Sequence, residues 1–92
     1  MVNMCDFDLL GEKIVEDNLE IHISKDYFGG EIVNSKEALQ LVRDIPIVNL
    51  AGTRIVSKVV DAKLASKRAV KIIGSTSFLL IFRFDHVSTS RR

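Results

Sequence analysis

The chain has no tryptophan, one proline, one cysteine and no apolar run longer than the five residues from Phe78 to Phe82. Each shortage removes a class of protein. A lone Cys5 forms no internal disulfide, and with only His22 and His86 to join it a structural zinc site lacks ligands. The composition therefore reads as intracellular, cytoplasmic and metal-free. A run of five apolar residues falls far short of the about 20 that a membrane-spanning helix needs, and Met1 is followed by no basic-then-apolar leader. Neither membrane insertion nor secretion is expected. Present instead are 47% hydrophobic and 27% charged residues over 92 positions, the balance of a soluble globule with a single core.

The formal net charge of +1 conceals two opposite halves. Residues 1–46 carry ten acids and four bases, whereas residues 47–92 carry nine bases against Asp61 and Asp85, so the halves stand at −6 and +7. Such a division predicts a basic face suited to an anionic polymer or an acidic partner.

Local patterns outline the elements. An opening strand leads into Asp6–Gly11, which has the acids and glycine of a turn. Residues 13–16 and 19–24 read as a hairpin turned by Asp17 and Asn18. In the second run, Leu19, Ile21 and Ile23 alternate with polar residues, the mark of a half-buried strand. Tyr27, Phe28, Gly29 and Gly30 suggest a compact turn folded against the core. Asn34 and Glu37 have capping-box spacing, which predicts a helix to about Asp44 with Ala38, Leu41, Val42 and Ile45 on its apolar face. Pro46 is suited to open a second helix over 47–61, with Gly52 inside it. Val70 to Ile73 and Phe78 to Phe84 read as a second hairpin, and the apolar run Phe78–Phe82 predicts a strand covered on both faces. The expected fold is α+β: a small single domain over residues 1–86, two β-hairpins packed with two α-helices, followed by a basic tail at 87–92.

No catalytic constellation stands out, and no cofactor is expected. Gly29-Gly30 is no phosphate loop, because neither a lysine and hydroxyl residue nor a third spaced glycine follows. Asp6 and Asp8 read as turn carboxylates, His22 belongs to a wet strand face, and Cys5 has no evident activating neighbour. Arg54 and Lys58 fall one helical turn apart, and Lys63, Lys67, Arg68 and Lys71 follow at once. That basic ridge is the candidate RNA-binding surface, the alternative being an ordinary solvated helix face.

Cys5-Asp6 with Leu9 and Gly11, then Tyr27-Phe28-Gly29-Gly30-Glu31, then Asn49-Leu50 with Gly52, resemble the successive motifs of the archaeal domain-of-unknown-function family 424. The resemblance runs from Val2 to about Phe84. It implies an archaeal source, a small α+β domain and an association with translation, with no established activity. Two departures are visible. The family begins with a further strand ahead of its Cys-Asp motif, which this chain is expected to lack, and a Pro-His pair is replaced after Gly74 by Ser75-Thr76-Ser77-Phe78. A catalytic role for that histidine does not carry over. The reading is a non-enzymatic RNA-binding protein whose partner is RNA or a ribosomal subunit, or a translation factor. The alternative is a protein-interaction or self-associating module, and an enzyme would require Asp6, Tyr27 and Asn49 to converge in one pocket.

Overall fold

Strand β1, Val2–Cys5, opens the chain and a 3-10 turn, Phe7–Leu9, follows it in the computed structural model, which describes residues 1–83. His86 and the tail at 87–92 lie outside the described residues. Strands β2, Lys13–Glu16, and β3, Leu19–His22, form the expected first hairpin, in which Asp17 takes the left-handed conformation at φ 52°. Asp tolerates that region because its short side chain bonds locally to backbone. A short helix α1, Lys25–Phe28, then starts where the Ser24 hydroxyl accepts the Asp26 and Tyr27 N–H groups. The expected compact turn is therefore helical, and Tyr27 is 73% exposed rather than packed on the core.

Helix α2, Ser35–Asp44, carries the predicted capping box: Asn34 Oδ1 accepts the Glu37 N–H at 2.8 Å, and Glu37 Oε1 accepts the Asn34 N–H at 3.2 Å. These bonds satisfy two donors that the first helical turn otherwise leaves orphaned. At its other end the Arg83 guanidinium donates to the carbonyls of Val42 at 2.6 Å and Ile45 at 3.2 Å. A charge counted toward the basic half is thus spent on closing a helix.

The region expected to be one helix over 47–61 divides. Residues Ile47–Ala51 form strand β4, and helix α3 runs over Thr53–Asp61. Val48 and Leu50 satisfy a period of two as well as Val48 and Ala51 satisfy a helical one, and burial between two neighbouring strands decides the outcome. Pro46 sits just before β4, where its carbonyl accepts the Arg83 N–H at 2.9 Å and its own missing donor breaks no central ladder bond. Strands β5, Lys71–Ile73, and β6, Thr76–Phe82, make the second hairpin through Gly74 and Ser75 at φ 56° and 66°. A 3-10 turn over Lys67–Ala69 precedes β5.

The main sheet has the order β1-β4-β6-β5, with β1 parallel to β4 and the other pairs antiparallel. One face, bearing Met4, Val48, Leu50, Leu79 and Ile81, is buried under Ala38 and Val42 of α2 and Ile55, Val56 and Val59 of α3. Each of these side chains except that of Ala38 contributes about 1.5–3 kcal/mol by leaving water. Part of the opposite face is covered by the first hairpin, whose Ile14 and Ile23 pack with Ala51. Cover is incomplete there: Leu80 is 58% and Phe82 53% exposed, so β6 is not buried on both faces as its apolar run predicts. The result is α+β, with a third, short helix beyond the expected two.

Candidate functional site

The Cys5-Asp6 step places a carboxylate at the start of α3. Asp6 Oδ2 accepts the Arg54 N–H at 3.0 Å, and Oδ1 accepts the Ile55 N–H at 2.9 Å. Asp6 therefore caps a helix that begins 47 residues later in the chain, because the residue at the cap position, Gly52, has no side chain to do so. Gly52 stands at φ 127°, and a Cβ there would overlap the Asp6 carboxylate. Two of the quoted motifs are thus halves of one latch. Arg54 folds over it, with Nη2 2.9 Å from Asp8 Oδ1 and Nε 4.0 Å from Asp6 Oδ2. Arg54 is therefore paired with two carboxylates while its side chain stays 65% exposed, and the N-terminus of α3 already holds an anion of its own.

Beside the latch lies a groove of about 400 Å³. One wall is β1 from Asn3 to Cys5, and the other is the stretch from Phe28 to Ser35. Ala38 of α2 and Ile55 of α3 line it as well, with Lys58 from the next turn of α3. Because the Asp6 N–H bonds the Ala51 carbonyl at 3.0 Å, the alternation of a parallel ladder turns the backbone groups of Met4 toward β4. Those of Asn3 and Cys5 face the open edge. Asn3 Oδ1 is also buried with no hydrogen-bond partner among the described residues.

The structure brings Cys5, Asp6, Phe28, Gly29, Gly30, Arg54 and Lys58 together around this groove. It separates others. Gly11 makes the turn into β2 at φ 86°, its N–H bonding the Ile23 carbonyl at 2.7 Å, while Tyr27 lies outside the groove. Asn49 sits in β4, aligned with Asn3 on one side and Leu80 on the other. Asp6, Tyr27 and Asn49 therefore form no common pocket. Among the described residues no cluster of three metal-ligating side chains occurs, and no helix is long and apolar enough to cross a membrane.

The remaining basic candidates are all exposed. Lys63 follows α3 at φ 61°, Lys67 and Arg68 occupy the 3-10 turn where the Ser66 hydroxyl accepts the Arg68 N–H at 3.1 Å, and Lys71 is in the edge strand β5. Among the described residues Lys58, Lys63, Lys67, Arg68 and Lys71 make no ion pair; Arg54 and Lys13 do. Sequence reasoning passed over Asn3, whose one signal is an amide inside an otherwise apolar strand.

Burial, and after it the carboxylates of Asp6 and Asp8, push the Cys5 thiol above its ordinary pKa. The thiolate is the reactive form, so Cys5 is expected to react with iodoacetamide at pH 8 several-fold more slowly in the folded protein than in urea. Equal rates would contradict this environment.

The pattern of the family described as "Protein of unknown function (DUF424)" matches residues 1–84. The fold is similar to the crystal structure of an uncharacterized conserved protein from Methanopyrus kandleri, at a TM-score of 0.66 and 25% identity, covering 87% of this chain and 80% of that one. No curated protein matches the chain.

Proposed function

Because this chain belongs to the DUF424 family, whose description assigns no activity, we propose a function from the surface it presents: a non-enzymatic RNA-binding protein that meets RNA on the ribosome or elsewhere in the translation machinery. The observation that carries this reading is the set of five exposed cations, Lys58, Lys63, Lys67, Arg68 and Lys71, none held by a carboxylate among the described residues. Cations without internal partners leave their charge available to phosphates, and phosphate contacts supply most of the affinity of general nucleic-acid binding. Arg54, the sixth candidate, differs from these five in being paired with Asp6 and Asp8.

The test is co-sedimentation with archaeal ribosomal subunits over a salt series, with free RNA as competitor. Saturable binding to one subunit that resists excess free RNA supports a ribosomal partner. Equal competition by any RNA supports RNA binding and removes the ribosome from the proposal; absence of binding at low salt overturns both.

A protein-interaction reading rests on a different observation, the exposed Leu80 of β6, on the sheet face opposite the helices. Salt-independent self-association without RNA would favour it.

A further inference from the structure

We infer that the groove beside β1 binds a single nucleotide, the base bonding the open backbone edge of Asn3 and Cys5 and the phosphate meeting Lys58. This deepens the RNA reading and rests on it for the source of the nucleotide.

The groove has the layering that a flat ring requires. Its backbone wall is the edge of a sheet, and beyond that edge the apolar material of both neighbouring layers continues. Ala38 and Ile55 belong to the helix-side core, and Phe28 packs with the hairpin-side cluster of Ile14, Ile23 and Ala51; all three line the groove. A ring lying in the plane of the sheet is then sandwiched between apolar surfaces while its rim meets polar backbone. The volume of about 400 Å³ falls within the about 300–1,000 Å³ of small-molecule sites.

The polar rim is specific in kind. Asn3 and Cys5 each turn one N–H and one C=O away from β4. The edge of a nucleobase sets a donor beside an acceptor, the complement of an outward N–H and C=O on one strand residue. All four bases carry such an edge, and a sugar phosphate without a base does not.

Charge and space agree. Of the two cations lining the groove, Arg54 is held by Asp6 and Asp8, which leaves Lys58 for a phosphate. The two glycines of the rim also differ. A Cβ at Gly29 would strike the Lys25 carbonyl, whereas one at Gly30 would meet nothing within 4 Å, and Gly30 lies outside the left-handed region. The fold needs no glycine at 30; an incoming ligand does, since a side chain there would narrow the groove. An added peptide strand suits the site less well. The stretch 29–34 passes from the hairpin side of the sheet to the helix side across the β1 edge, which shortens the open edge to a few residues.

The test is a titration of the 15N-labelled protein with the four nucleoside 5′-monophosphates, and with ribose 5-phosphate as the baseless control. Amide signals of Asn3, Cys5 and Gly30 are expected to move with the nucleoside 5′-monophosphates and to stay in place with ribose 5-phosphate. Gly30→Val should abolish the shifts in a protein that keeps its fold and midpoint, and Lys58→Gln should weaken AMP but not adenosine. Shifts that ribose 5-phosphate reproduces, or that survive Gly30→Val, overturn the inference.

A single-stranded tetranucleotide identifies the source. Tighter binding than the monomer at the same amides makes an unpaired RNA nucleotide the ligand, and weaker binding makes it a free nucleotide. An oligonucleotide that binds through Lys67 and Arg68 while the groove stays silent overturns the groove and leaves the RNA reading. Mononucleotides in the groove without any RNA binding do the reverse.

Discussion

Gly52→Ala is expected to lower the stability of the domain by about 4 kcal/mol and its thermal midpoint by roughly 15–30 °C. Two costs combine. A side chain is strained at φ 127°, and the added Cβ would lie on the Asp6 carboxylate that caps α3. Relief of the overlap would push Asp6 away, leaving the Arg54 and Ile55 N–H groups without their acceptor. Asp6→Ala alone should cost about 1–3 kcal/mol, the range for losing a cap whose acceptor is charged. The two changes should not add, because each disables the same latch; the double variant is expected to be more stable than the sum of single losses predicts by at least about 1 kcal/mol. Thermal unfolding of the four proteins decides it, and a Gly52→Ala midpoint near that of the wild type would refute the latch.

The second large effect is on RNA. Reversing both charges of the 3-10 turn, Lys67→Glu with Arg68→Glu, is expected to weaken binding to single-stranded RNA at low salt by about 100-fold or more. Two attractive contacts are lost and two repulsive ones created, on exposed side chains that carry none of the core. Ser66 keeps its hydroxyl, so the local turn should persist. Matched Arg54→Glu should act differently. It places a like charge against Asp6 and Asp8 and is expected to lower stability before it lowers affinity. Filter binding of all three proteins, with midpoints recorded alongside, separates the two behaviours; unchanged affinity in the turn variant would remove Lys67 and Arg68 from the surface.

Features that depend on neighbours in the chain were legible from the residues alone. Asn34 and Glu37 stand three apart and close a capping box, Asp17-Asn18 turns the first hairpin, and Gly74 starts the turn of the second. Features that depend on distant chain were not. Residues 47–51 satisfy both helical and strand periods, and only the places of β1 and β6 on either side settle which one wins. The run Phe78–Phe82 looks doubly buried, but among the described residues the first hairpin packs on Phe78, while Leu80 is 58% exposed.

The site divides in the same way. Motif residues around Cys5-Asp6 and Phe28-Gly29-Gly30 were marked as meaningful, but nothing in their spacing shows that they meet each other and Lys58 across β1. The pairing of Arg54 is hidden for a related reason. Its partner carboxylates are 46 and 48 residues away, so local charge counting leaves it free when the fold does not. Asn3 was passed over because an amide in a short strand carries no signal until its acceptor is found buried and unpaired.

The most direct measurement is the affinity of the wild-type protein for a single-stranded RNA oligonucleotide between 50 and 300 mM salt, read by fluorescence anisotropy. Five phosphate contacts predict a log–log slope of about −3.5, falling to about −2 in the Lys67→Glu, Arg68→Glu protein. A slope near zero, or no binding at 50 mM salt, would contradict the account.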